Sequence, residues 1–185
     1  MNRPGPWKII VWILPLALLA WAGCSKEEEE EVLPEVSFSF DLPALAIAVD
    51  SAQVAAPSGV VFGFDGSAAL GQALTANGFG TGQLVGVGLN KARLYFSDPV
   101  GSYYNALQSV TVRMAVGDGQ PVTVASLDSV PDGAQALVLG LMDVDVAAML
   151  RSNDARLVVR MEFDGPVPPV TGHSLVLGAQ AVVLP

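Results

Sequence analysis

Val110-Thr111-Val112-Arg113-Met114-Ala115-Val116 is followed by Gly117-Asp118-Gly119-Gln120 and then by Val122-Thr123-Val124-Ala125-Ser126. In the first run Val110, Val112, Met114 and Val116 alternate with Thr111, Arg113 and Ala115. A strand turns successive side chains to opposite faces, so this period of two predicts one buried and one outward face. The glycine-rich tetrad is a turn signal, and Val122 to Ser126 reads as the returning arm of a hairpin. The hairpin is the unit from which the rest of the chain can be read.

Working outward, the same period recurs on both sides. Upstream, Ala92, Leu94 and Phe96 alternate with Lys91, Arg93 and Tyr95 in a strand that Asp98-Pro99 ends. Val36, Phe38, Phe40 and Leu42 make a first strand, Leu45, Ile47 and Val49 a second after Pro43, and Val60, Phe62 and Phe64 a third closed by Asp65-Gly66. Downstream, Ala136 to Leu141 forms another strand. Leu157, Val159, Met161 and Phe163 alternate with Arg156, Val158, Arg160 and Glu162, and Leu175 to Leu184 supplies the last strand. Two stretches break the rhythm. Ser67 to Ala76, with Ser67 as cap and Asn77-Gly78 as stop, predicts a short helix, and Asp143 caps a second one running to Leu150-Arg151. Short strands with turns about every ten residues predict an all-β fold, an antiparallel immunoglobulin-like β-sandwich with one or two short helices in its connections. Strands do not alternate regularly with helices, which excludes a doubly wound parallel sheet.

The N-terminal residues bear on where the protein is located. Arg3 and Lys8 precede Ile9 to Ala22, an uncharged apolar run broken by Pro15. A membrane-spanning helix needs roughly 20 apolar residues. The run is shorter and ends in small residues, as a secretory signal peptide does; a retained signal anchor is the alternative. The chain has one cysteine, Cys24, so no internal disulfide can form.

Leu19-Ala20-Trp21-Ala22-Gly23-Cys24 resembles the lipobox of bacterial lipoproteins. Ala22, Gly23 and Cys24 match its last three positions, and Trp21 stands where an aliphatic residue is usual. The resemblance implies cleavage between Gly23 and Cys24, with lipid attached at Cys24. It divides the chain into a signal peptide at 1–23, a lipidated acidic tether at 24–35 and a β-sandwich at 36–185. Two or three acyl chains on one residue give durable anchoring, at about 0.8 kcal/mol per buried methylene. The run Glu27 to Glu31 repels itself and stays solvated, which suits a spacer. Ser25-Lys26-Glu27-Glu28 also resembles the short acidic export signal that follows the acylated cysteine in some surface lipoproteins of Gram-negative bacteria. That resemblance implies the outer membrane, with the domain facing outward.

Without Arg3 and Lys8 the chain carries seven basic against eighteen acidic side chains. Such a balance excludes nucleic acid as a partner. The membrane, reached through the N-terminal lipid, is the partner the lipobox implies, and an envelope protein or a glycan is the remaining class. From Lys91 to Leu184 the order Lys91-Ala92-Arg93-Leu94, Asp98-Pro99-Val100-Gly101, Leu107-Gln108-Ser109-Val110 and Val144 to Leu150 resembles small exported lipoproteins with an immunoglobulin-like sandwich. No activity comes with that likeness.

Residues for chemistry are few. The single histidine, His173, follows Gly172 and reads as a solvated loop residue; alone it supports neither a zinc set nor a nucleophile elbow. Asp143 with Asp145, and Asp128 with Asp132, lack the dense spacing of a calcium loop. Gly78-Phe79-Gly80-Thr81-Gly82 lacks the lysine of a phosphate loop and reads as a connector. Glu162 falls on the polar face of its strand. Neither cofactor nor catalytic set is expected. Tyr103 and Tyr104, paired in a loop, offer either a recognition surface or a cover for the open end of the sandwich. The functional expectation is a non-enzymatic binding or structural module. A periplasmic accessory subunit of an outer-membrane assembly, or a pilin-like strand-exchanging subunit, are its alternatives.

Overall fold

A computed structural model describes residues 34–50, 59–98, 102–165 and 170–185, and among them it has ten strands, two α-helices and a 3-10 turn at Thr81–Gln83. The strands are β1 (Val36–Asp41), β2 (Leu45–Asp50), β3 (Val60–Phe64), β4 (Leu84–Asp98) and β5 (Leu107–Val116). They continue with β6 (Val122–Leu127), β7 (Ala136–Val138), β8 (Gly140–Leu141), β9 (Ala155–Phe163) and β10 (Val170–Val183). Helix α1 (Ser67–Ala76) follows β3, and α2 (Ala147–Arg151) precedes β9. One sheet runs β1-β10-β4-β7, with β2 beside β1 on the same edge of β10; the other runs β3-β9-β5-β6-β8. Every pairing is antiparallel. The protein is an all-β antiparallel sandwich, as the period of two requires.

The core lies between the sheets. Val110, Val112 and Met114 of β5 face Leu94 of β4 and Leu175 and Leu177 of β10 across one continuous apolar cluster, and each is essentially inaccessible to water. Three devices let straight strands enclose that cluster. At Pro43 the edge strand kinks between β1 and β2, both of which stay on β10; the shift from Asp41↔Gly178 to Leu45↔Leu175 inserts one residue. Proline has no N–H to give a ladder and is tolerated at such an edge. In β4 a bulge at Asn90, between the pairs Lys91↔Gly178 and Leu89↔Ala179, changes which parity faces inward, from Val87 before it to Ala92 and Leu94 after it. The Asn90 amide donates to Ser39 Oγ (2.9 Å) and to the Ala179 carbonyl (3.3 Å), holding the bulge. A side chain at Gly178 would meet Asn90 Oδ1 at 2.7 Å, so the close approach requires glycine there.

The third device corrects an expectation. Ala136 to Leu141, read as one strand, is two: β7 pairs with β4 in one sheet and β8 with β6 in the other. Leu139 N–H bonds the Ala92 carbonyl at 3.0 Å, and three residues later Met142 N–H bonds the Val124 carbonyl at 2.9 Å. The chain changes sheets at Leu139, which itself is buried.

Both helices stand where expected, with different caps. Ser67 does not cap α1 by itself. Its N–H (3.0 Å) and hydroxyl (2.6 Å) both donate to Asp65 Oδ1, and those bonds hold the Asp65 carboxyl below the usual carboxylate range. The far end is a Schellman turn: Phe79 N–H reaches the Leu74 carbonyl at 2.9 Å and Gly78 N–H the Thr75 carbonyl at 3.0 Å, with Gly78 at φ +80°. Phe79 then stacks on Phe38 of β1, ring centroids 6.1 Å apart. At α2 the capping carboxylate is Asp145 rather than Asp143. Its Oδ1 accepts from Ala147 N–H and from Val87 N–H, each at 2.9 Å, tying the helix start to β4. Two smaller corrections concern phase. At the end of β5, Ala115 is buried and Val116 exposed, and Phe163 is only partly buried.

Candidate functional site

Gly172 is the reason the histidine was misplaced. Pro168-Pro169 and a glycine suggest a loop, yet β10 already begins at Val170. A Cβ at Gly172 would lie 3.0 Å from Asp98 Cβ and 3.1 Å from Ser97 Oγ. The glycine is there to let the end of β4 come close. His173 is consequently a strand residue pointing into the sandwich with the same parity as Leu175 and Leu177, and it is 1 % exposed.

Its surroundings form the one polar cluster in the core, among the described residues. Thr171 Oγ1 lies 2.8 Å from His173 Nε2, and Tyr104 Oη lies 3.1 Å from Nδ1. Thr171 and Tyr104 are buried with it. Phe96 leans over both rings, 4.3 Å from the Tyr104 centroid and 4.7 Å from that of His173. The loop that carries Tyr104 is pinned by its own N–H to the Ala134 carbonyl at 2.8 Å.

A neutral imidazole has one donor and one acceptor, while a hydroxyl can serve as either. Both arrangements of the Thr171–His173–Tyr104 chain therefore satisfy every group. An imidazolium would have two donors in an apolar surround, with no carboxylate among its hydrogen-bond partners. Burial accordingly lowers the His173 pKa to about 4 and pushes the Tyr104 phenol above the usual tyrosine range. The cluster can move a proton internally, but a substrate has no access to it. Its work is to fill that part of the core with a hydrogen-bonded plug.

The paired tyrosines are thereby split. Tyr104 is 2 % exposed and belongs to the plug, so it offers nothing to a partner; Tyr103, its neighbour, is 52 % exposed. Asn105 N–H bonds the Tyr103 carbonyl at 3.1 Å, a tight turn centred on Tyr104, and the adjacent pair does not form a joint surface. Nothing in the sequence marked His173 and Tyr104 as partners, because the contact spans 69 positions.

Other expected positions are accounted for more briefly. Glu162 accepts from Ser109 Oγ at 2.9 Å and pairs with Arg160 at 2.6 Å on the outer face. Asp145 is committed to its two backbone donors, and no group of three or more His, Cys, Asp or Glu side chains is placed to hold a metal ion among the described residues. Gly23, Cys24, Ser25, Lys26, Glu27 and Glu28 lie outside the described residues. No protein-family model matches the sequence, and no curated protein matches it either.

Proposed function

We propose that this protein is a lipid-anchored lipoprotein of the cell envelope whose β-sandwich acts as a non-enzymatic binding or structural module, exposed at the surface of the outer membrane. The observation that carries the reading is the run Leu19 to Cys24, which places the single cysteine of the chain directly after two small residues and just before five consecutive glutamates. The acids give way to the first alternating strand at Val36, so a tether of about ten residues separates the lipidated cysteine from the fold. If extended, it holds the domain roughly 30 Å from the bilayer. The only imidazole in the chain is occupied by Thr171 and Tyr104, which favours a role for the outer faces over a role for the interior.

Metabolic labelling with a fatty-acid analogue tests the anchor. Wild type takes the label and Cys24→Ser does not; label retained on the variant refutes lipidation at Cys24. Protease treatment of intact cells tests the side of the membrane. A surface domain is digested, whereas a periplasmic accessory subunit survives.

A further inference from the structure

The outer face of the sheet β3-β9-β5 breaks the acidic character of the chain. Alternation places Arg113 and Ala115 of β5, Arg156 and Val158 of β9 and Val61 and Gly63 of β3 on that face. Five of these six line a shallow depression of about 180 Å³. In the ladder Arg113 stands opposite Val158 and Ala115 opposite Arg156. The two arginines are diagonal neighbours, roughly 7–8 Å apart at the backbone, a distance long side chains span. Like charges so placed repel. The chain has eighteen acidic side chains with which to neutralise them, and it barely does. Arg113 has no hydrogen-bond or ion-pair partner among the described residues. The Nε of Arg156 is buried without a partner, and its NH2 meets only Asp118, at 3.5 Å, whose side chain is fully exposed. Arg160, four residues along β9, shows the contrast with its 2.6 Å pair to Glu162.

The floor between the arginines is apolar. Val158 and Ala115 are buried although no third layer covers them among the described residues, as happens where arginine stems lie along apolar surface. Val61, beside them, is 54 % exposed. The strand that carries Val61 is also an edge among the described residues: β3 pairs there with β9 alone, leaving its other row of N–H and C=O groups open to an added strand. Gly63 completes the arrangement. It stands opposite Arg156 in the register, and no atom lies within 4 Å of where its Cβ would be. Across that bare backbone a side chain on an added strand reaches the Arg156 guanidinium directly.

We propose that this face, with the free edge of β3, docks an extended acidic peptide segment of a partner protein. The segment adds to β3 through its main chain and turns its carboxylates to this outer face, past Val61 and Gly63, toward Arg156 and Arg113, with its intervening apolar residues on the opposite face. Guanidinium and carboxylate match as paired forks, and the alternation of an extended strand delivers one side chain in two to the face. The net negative charge of the chain works against a polyanion at long range, so affinity for an acidic strand reports this local pair. The proposal rests on reading the sandwich as a binding module and is independent of the lipid anchor.

The test uses the full-length protein and a fluorescein-labelled peptide alternating valine and glutamate, followed by anisotropy. Saturable binding is expected, with Arg113→Gln and Arg156→Gln each weakening it by about tenfold. Gly63→Glu, built into open space and therefore compatible with folding, places a carboxylate over Arg156 and weakens binding similarly; Gly63→Ala leaves it within about twofold. Equal affinity for a valine–lysine peptide overturns the proposal, as does indifference to both arginine substitutions. Displacement by inorganic phosphate as effective as displacement by unlabelled peptide overturns it too, since the site is then an anion site without strand addition.

Discussion

Tyr104 Oη and His173 Nδ1 lie 3.1 Å apart in the core, joining a loop tyrosine to a strand histidine across 69 positions of sequence. The contact makes acid the natural stress on this fold. The folded-state pKa of His173 is about 4 against 6.5 in the unfolded chain. Between those values the unfolded chain binds the extra proton and the folded one does not. The contribution of His173 burial is therefore intact above pH 6.5 and falls away as pH drops toward 4, by up to about 3 kcal/mol. Denaturant melts of wild type and His173→Gln at pH 7.5, 5.5 and 4 check this. The stability difference between them should shift steadily against wild type as pH falls. A difference that does not vary with pH would show that His173 is not the acid-labile group.

Asp145 and Asp143 provide a second comparison. Asp145→Ala removes the acceptor from two backbone donors, on α2 and on β4. We predict a loss of about 1.5–3 kcal/mol, the range for hydrogen bonds to a charged group. Asp143→Ala, at an exposed position, should cost under about 0.5 kcal/mol. Urea midpoints of the two variants decide the matter; similar losses would mean that the helix start does not depend on Asp145.

Core depth along β9 gives the third. Leu157 is fully buried, whereas Phe163, three periods of the alternation away, is partly exposed. Leu157→Ala should cost about 2–5 kcal/mol through lost burial and the cavity left behind. Phe163→Ala should cost less despite the larger side chain, because its ring already meets water. Thermal melts of both variants rank them, and the reverse order would place the deepest part of the core at the other end of the strand.

The fourth prediction separates two readings of the acidic tether. A spacer needs length and solvation, which a Ser/Gly stretch supplies equally well. An export signal needs negative charge close to the lipid. We predict that replacing Glu27 to Glu31 with Ser/Gly leaves a lipidated protein that no longer reaches the surface. Antibody labelling of unpermeabilised cells reads the outcome, and undiminished surface signal would leave the block as a spacer only.

The legible part of this fold was the part set by alternation. Val110, Val112 and Met114 declare their face without help from any other segment, and so do Leu157, Val159 and Met161. What escaped was set by neighbours distant in sequence. Gly172 reads as a loop residue until Asp98 and Ser97 are brought against it. Asp143 and Asp145 are equally good caps on paper, and only the nearby Val87 N–H chooses between them. The bulge at Asn90 alters which parity faces inward without altering the composition of the strand. His173 had no local signature because both of its partners become partners only when β10 and the Tyr104 loop meet. The arginine pair Arg113 and Arg156 was visible as two polar-face residues, but their diagonal placement depends on the register between β5 and β9.

The change of sheet at Leu139 has a mechanical meaning. A sandwich of two separate sheets can part along either flank; here one flank is a covalent spine, since β7 and β8 are a single run of chain stitched into both layers. The molecule is bound like a book. The layers cannot slide past one another at the spine without breaking hydrogen bonds in both. The opposite margin carries the edge of β3 that no described strand pairs, so the side of the fold open to another chain is the one away from the spine.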